Sequence, residues 1–512
     1  MTRNRLLIIV ASVVTVALVA GIAVFVGTRV AGDDFEPPQA TREDVDAPLA
    51  RFYEQQLDWS DCGEAQCTRV TVPVDYQDPT GETLELAVRL FPAGTTEGSR
   101  SLLVNPGGPG GSALDYAATL AGQLDSSITD VYDIVGVDPR GVGESTPLQC
   151  LPDAAFDEFT ETDPDPDDPA EVTALRRSIT ELGTACEDNS GELAAHVSTE
   201  EAARDMDVVR ALLGRGELDW FGASYGTKLG ATYAELFPAN VGRMVLDGAV
   251  DPLEGAIESS LGQAEGFQRA FDAYAEDCIA DGSCPLGSSL AEARRTAADL
   301  LAQLDESPLP GQGERVLTEG QAFYGLALPL YSESTWGLLT QSLQQALVNG
   351  NGAALLALSD IYFSRGLDGE YDGNLGQVIY AVNCLDEPDP PDIETVRDAL
   401  PRFEQASPVF GRALGWGALG CTDWPIPVSS PQEPTPADGA APIVVVGTTR
   451  DPATPYESAV ALADQLSSGV LLTREGDGHT AYSSGNQCIV DAVNTYLLEG
   501  TPPEDGTTCP EE

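Results

Sequence analysis

The chain runs to 512 residues, 42% of them hydrophobic, with 82 Asp plus Glu against 26 Lys plus Arg and a formal net charge of −56. That length exceeds one ordinary compact core and implies a large domain carrying an insertion, or two domains, with the apolar content of a globular protein rather than a disordered one. So acidic a chain repels nucleic acid and anionic lipid, which excludes both as partners and leaves a solvated shell that keeps an exported protein soluble.

In chain order, Arg3 and Arg5 precede an uncharged stretch of 22 residues, Leu6 to Gly27. It is long enough to cross a bilayer, and the arginines favour a cytoplasmic N-terminus with everything after Thr28 outside. Residues 1–30 therefore read as a membrane anchor or a long cleaved signal, and membrane contact is expected only there. The localisation that follows is extracellular: held at the cell surface by this segment, or secreted after its cleavage. Residues 31–50 are polar and proline-containing, a linker.

An alternating pattern follows. Thr68–Val74 and Thr83–Leu90 alternate apolar and polar residues around Asp78-Pro79-Thr80-Gly81, the mark of a β-hairpin. Short apolar strands are then expected at Ser101–Asn105, Val131–Val137, Asp219–Gly222, Arg243–Asp247, Ile443–Gly447 and Val470–Thr473. Helical patterns lie between them, at Glu200–Leu213, Lys228–Phe237, Pro455–Leu466 and Gln487–Leu498. Strands buried on both faces and separated by helices describe a mostly parallel sheet in an α/β fold. The alternation stops over 251–440, where the pattern is helical (Leu290–Leu304, Glu319–Leu328, Trp336–Asn349) and ends in a proline-rich exit. This segment is expected to be a cap inserted between a first core part, 51–250, and a C-terminal core part, 441–512. The Asp/Pro run Glu161–Pro169 reads as a solvated loop.

Ten cysteines, an even number, agree with an oxidising compartment. Pairing sequence neighbours gives Cys62–Cys67, Cys150–Cys186, Cys278–Cys284, Cys384–Cys421 and Cys488–Cys509. No metal site is expected, because Cys-x-x-Cys pairs and clustered histidines are both missing from the sequence. No cofactor is expected either: the glycine-rich run lacks the Lys-Ser/Thr ending of a phosphate loop and the G-x-G-x-x-G spacing.

Chemistry concentrates in four places. Gly222-Ala223-Ser224-Tyr225-Gly226 has the G-x-S-x-G form, with a strand running in and a helix running out. That context is a nucleophile elbow, the tight turn of an α/β-hydrolase fold that lifts the Ser224 hydroxyl above the sheet and leaves the Tyr225 N–H free to meet an oxyanion. The chain has two histidines, His196 and His479. Only His479, after the last long strand, fits the order serine, acid, histidine. Asp451 follows the strand before it and is the expected acid, with Asp247 as the alternative. The loop Asn105-Pro106-Gly107-Gly108-Pro109-Gly110 offers Gly107 or Gly108 as the second oxyanion donor, with nothing to choose between them.

With these residues assembled, the chain resembles the prolyl-aminopeptidase-like branch of the α/β-hydrolases, and in it the exported tripeptidyl aminopeptidases of actinobacteria. Pro106–Gly110 (PGGPG) stands where the branch carries His-Gly-Gly-Pro-Gly. Asp138-Pro139-Arg140-Gly141-Val142-Gly143-Glu144-Ser145 matches its Asp-x-Arg-Gly-x-Gly-x-Ser turn, and Gly447–Pro455 with Gly478-His479 resembles its acid and histidine segments. The resemblance implies a mainly helical cap and a serine exopeptidase that releases short peptides, tripeptides foremost, from free N-termini through an acyl-enzyme on Ser224. An acidic cap residue would pair with the substrate ammonium; Asp386, Glu387 and Glu333 are the candidates. A carboxylesterase using the same triad on small acyl esters is the alternative, and a non-catalytic surface binding protein a remoter one.

Overall fold

The computed structural model describes residues 35–43, 45–95, 99–428 and 434–511. The expected membrane or signal segment, 1–30, lies outside the described residues. The chain divides into two compact units, Met1–Pro37 and Pro38–Glu512, and the described helices and strands all fall in the second. Among the described residues no helix is long and apolar enough to cross a membrane.

A ten-stranded sheet organises the second unit. Its strands in chain order are β1 (Ser60–Cys62), β2 (Ala65–Pro73), β3 (Thr83–Phe91), β4 (Arg100–Asn105), β5 (Tyr132–Val137), β6 (Leu218–Ala223) and β7 (Val241–Asp247). A short hairpin of β8 (Leu309–Pro310) and β9 (Val316–Leu317) stands apart from the sheet. Then come β10 (Ile443–Arg450), β11 (Gly469–Asp477) and β12 (Thr507–Cys509). The order across the sheet is β1-β2-β3-β5-β4-β6-β7-β10-β11-β12. Pairing is antiparallel from β1 to β5 and parallel from β5 through β12. This is the α/β-hydrolase arrangement. The central parallel strands β4, β5, β6 and β10 are buried along most of their length, β4 and β10 as Leu/Val/Ile runs, because helices cover both faces.

Parallel pairing brings the carboxyl ends of β4, β6, β7 and β10 to one edge. Asn105 lies opposite Gly222, Ala223 opposite Asp247, and Asp247 opposite Val446. The loops that leave these ends, with the one that leaves β11, therefore meet in one place, where an α/β sheet presents its chemistry. The strands β1 and β12, each three residues long, escaped the sequence reading because so short a run has no usable period.

Between β7 and β10 the chain is mainly helical, including Ala256–Ala280, Leu290–Glu306, Glu319–Ala327, Trp336–Asn349, Leu375–Asp386 and Ile393–Ala406. These helices carry their own apolar cluster, with Phe267, Phe271, Leu304, Leu343 and Phe410 at its centre. The interval between β5 and β6 is the surprise. It contributes the helices Asp153–Thr160 and Pro169–Ser190, which pack against the inserted segment: Phe156 meets Phe363 and Tyr371, and Arg176 pairs with Asp423 at 2.7 Å. The run Glu161–Pro169 is accordingly solvated at its two ends, as its composition leads one to expect, but not through its middle. Pro166 is buried and Thr162 to Asp165 are half-buried, held under the inserted helices by Arg412, whose guanidinium donates to the carbonyls of Asp165 and Pro166. Composition registers the solvation of isolated side chains, not the surface that a distant helix lays over them.

The ten cysteines form Cys62–Cys67, Cys150–Cys186, Cys278–Cys284, Cys384–Cys421 and Cys488–Cys509, with none free.

Candidate active site

Ser224 follows β6 and occupies the N-cap position of the helix Tyr225–Leu236, with φ 55° and ψ −127°. A non-glycine residue rarely holds a positive φ, and the neighbours explain how this one persists. A Cβ on Gly222 would stand 2.2 Å from the Gly226 carbonyl oxygen, and one on Gly226 would stand 2.7 Å from that of Asn105. The turn closes only because both positions are glycine. The Ser224 N–H donates to the Asp247 carbonyl at 2.9 Å, tying the elbow to the end of β7.

The loop after β4 lies directly against this elbow. A Cβ on Gly107 would meet the Ala223 carbonyl at 2.6 Å and the Ser224 Cβ and Tyr225 N at 2.8 Å. The Gly107 N–H donates to Asn105 Oδ1 at 2.9 Å, while among the described residues the Gly108 N–H has no partner. Asn105 is buried, and nothing about an asparagine at a strand end announced this role. The Gly108–Pro109 peptide is cis.

On the other side, His479 Nδ1 lies 2.9 Å from both Oδ1 and Oδ2 of Asp451 and 3.3 Å from Thr454 Oγ1. Asp451 is fully buried, and its carboxylate also accepts from the N–H groups of Ala453, Thr454 and Thr480. Thr480 holds φ 65°, a second strained residue beside the first. Burial disfavours a charged imidazole here, but the charge and hydrogen bond of Asp451, with Asp247 further off, hold the His479 pKa above its ordinary 6.5. From the inserted segment, the Tyr331 carbonyl accepts the His479 N–H at 2.9 Å, and the Tyr331 ring meets the imidazole edge-on.

Asp247, the alternative acid, makes a different set of contacts. Its carboxylate accepts from the N–H groups of Ala481 and Tyr482 at 2.8 and 2.9 Å, so it anchors the turn that follows His479. Burial pushes its pKa up to about 6. The next residue, Gly248, leaves room for the imidazole: a Cβ there would stand 3.3 Å from His479 Cε1. His196 lies elsewhere, with its ring 3.3 Å from Glu201 and its carbonyl on Arg140.

Arg140 explains the Asp138–Ser145 turn. It is buried, pairs with both oxygens of Asp205 at 2.8 Å, and donates to the carbonyls of Pro73 and Val74. Asp138 in turn accepts from Ser112 Oγ and the Leu114 N–H, fixing the helix that the glycine-rich loop enters.

The three candidate amine-binding carboxylates fall in different surroundings. Asp386 is buried against Lys228 Nζ at 2.8 Å and accepts from the N–H and hydroxyl of Thr199, which also meets the Tyr225 phenol. Its charge is already answered inside the chain, a pairing no sequence spacing disclosed. Glu387 is half-buried, and that burial raises its pKa although Lys228 works against the rise. Glu333 follows Tyr331 on the rim near Asp477 and Glu511; its pKa too is raised by partial burial.

A family profile described as "TAP-like protein" matches residues 407–509, the stretch that includes Asp451 and His479. The chain is 39% identical to the serine protease Hip1 of Mycobacterium tuberculosis over 478 residues, 89% of this chain and 91% of that one. It is also 39% identical to a carboxylesterase B of the same organism over 479 residues, 90% and 91% of the two chains. A tripeptidyl aminopeptidase of Streptomyces lividans is 34% identical over 478 residues, 90% and 88% of the two chains. Similarity that runs through both core parts and the inserted helices at these levels establishes kinship over the whole fold: the chain belongs to the tripeptidyl-aminopeptidase-like family of α/β-hydrolase serine hydrolases.

Proposed function

We propose that the chain is an exported serine exopeptidase that releases short peptides, tripeptides foremost, from free N-termini, with Ser224 as nucleophile, His479 as base and Asp451 as the acid that orients it. The observation that carries the reading is the forked contact of Asp451 with His479 Nδ1. It leaves Nε2 as the only ring nitrogen able to take a proton, at the same sheet edge as the strained Ser224.

His479 removes the Ser224 proton as the oxygen attacks the scissile carbonyl, and the resulting imidazolium is stabilised by Asp451. Charge gathers on the carbonyl oxygen, which the Tyr225 N–H and the Gly108 N–H receive; the Gly107 N–H is engaged by Asn105 and serves instead to hold the loop. The imidazolium then protonates the leaving amine. Water, activated by the same histidine, attacks the ester, and its cleavage restores the Ser224 hydroxyl and releases the N-terminal peptide with a free carboxyl group. The segment 251–440 acts as the cap over the N-terminal side of the substrate, with Glu387 and Glu333 as the remaining candidates for its ammonium. Export is supported by five disulfides, which need an oxidising compartment, and by the apolar segment near the N-terminus.

The carboxylesterase reading is kept in view by a relative of that name at 39% identity. Free and N-acetylated chromogenic tripeptides, assayed beside short acyl esters, separate the two. A desolvated charge-assisted contact is worth roughly 1.5–3 kcal/mol, so blocking the amine is expected to lower kcat/KM about ten- to a hundredfold. Equal rates on free and blocked peptides, or turnover of esters alone, would replace the peptidase with the esterase.

A further inference from the structure

Away from the catalytic edge, carboxylates from both sides of the fold converge on one point. Asp163 comes from the run before the helix Pro169–Ser190, Asp305 from the last turn of the helix Leu290–Glu306, and Glu319 from the first position of the helix Glu319–Ala327. One oxygen from each lies within 4.8 Å of the other two. Glu319 is 4% exposed, and its Oε2 is buried with no hydrogen-bond donor. The Asp165 carboxyl stands beside it. The Glu319 turn cannot back away, since a Cβ on the adjacent Gly320 would meet the Thr162 carbonyl at 2.4 Å. Arg412 is the nearby cation, and its guanidinium is spent on the Asp165 and Pro166 carbonyls and Glu404, reaching the Asp165 carboxylate only at 3.6 Å.

We propose that Asp163, Asp305 and Glu319, with Asp165 beside them, form a calcium site that staples the inserted helices to the segment between β5 and β6. A buried carboxylate without a donor is costly unless a cation answers it. Calcium binds carboxylate oxygens at about 2.3–2.6 Å, so oxygens that share one ion stand no more than about 4.6–5.2 Å apart, and the three here all fall within 4.8 Å of one another. Magnesium would require a tighter octahedron and hold its waters. Cysteine and histidine spacing gives no sign of such a site, because its ligands are all carboxylate oxygens.

The test is thermal unfolding of the full chain in EGTA and in 10 mM calcium chloride, against sodium chloride of equal ionic strength, together with equilibrium dialysis of calcium. Wild type is expected to melt about 2–4 °C higher with calcium and to hold one tightly bound ion per chain. Glu319→Gln is expected to lose both responses while melting higher than wild type in EGTA, because the crowded charge is gone. Asp305→Asn, at an exposed helix end, is expected to weaken calcium binding about tenfold or more without unfolding the chain. No calcium shift in wild type, or an undiminished shift and undiminished binding in Glu319→Gln, would overturn the site and assign any calcium effect to the general acidic surface.

Discussion

His479 and Asp451 face each other so that one imidazole nitrogen lies 2.9 Å from both carboxylate oxygens. Three backbone N–H groups already hold that carboxylate, which therefore has no freedom to follow the ring if the ring moves. The ring must follow it. Asp451→Asn is expected to lower kcat about 10³- to 10⁴-fold, because an amide turned by the same N–H groups presents the wrong partner to Nδ1 and favours the wrong tautomer. Asp247→Asn is expected to cost far less in kcat and more in stability, since an NH2 donor replaces one of the two oxygens that separately accept from Ala481 and Tyr482. Steady-state kinetics beside melting curves decide the ranking. A larger kcat loss in Asp247→Asn would make the β7 residue the acid.

Ser224→Ala and His479→Ala are each expected to remove turnover by about 10⁴-fold or more with unchanged melting. His196→Ala is expected to retain kcat/KM within about twofold, because its ring meets Glu201 and its backbone carbonyl, kept in alanine, is what Arg140 uses. A folded but inactive His196 variant would contradict the assigned base.

The acid limb of the pH–rate profile follows from the raised His479 pKa. A general base works only when unprotonated, so kcat/KM is expected to fall as pH drops through a midpoint above 6.5. Since Asp451 supplies the raising influence, the residual activity of Asp451→Asn is expected to show its limb at lower pH than wild type. A wild-type midpoint below 6.5 would mean that burial outweighs the carboxylate.

Gly107→Ala tests the loop. The residue holds φ 94°, and its Cβ would strike the elbow at the Ala223 carbonyl, Ser224 Cβ and Tyr225 N at once. All three are backbone or short side chain and cannot swing away. A loss of at least about 2 kcal/mol in stability is expected, with kcat falling alongside as the elbow shifts. An active, unchanged variant would show that the two loops separate in solution.

Local features were legible because they are set by nearest neighbours. The strand-turn-helix about Ser224, the alternation of strands and helices through the core, and the neighbour pairing of cysteines all depend on residues close in the chain, where sequence period and turn chemistry act directly. The choice between Gly107 and Gly108 was not legible, because it turns on whether Asn105 Oδ1 reaches one amide, a matter of ångströms. Nor was the fate of Asp386, whose charge is answered by Lys228 more than 150 positions away. The Glu161–Pro169 run makes the same point from the other direction. Its composition speaks of solvent, yet residues near 305, 319 and 412 close over it. Sequence by itself determined which groups are the candidates for the chemistry and in what order they follow along the chain. Only the tertiary structure decided which charges stand alone and which are neutralised, because Coulomb energy depends on distance and burial, and neither is written along the chain.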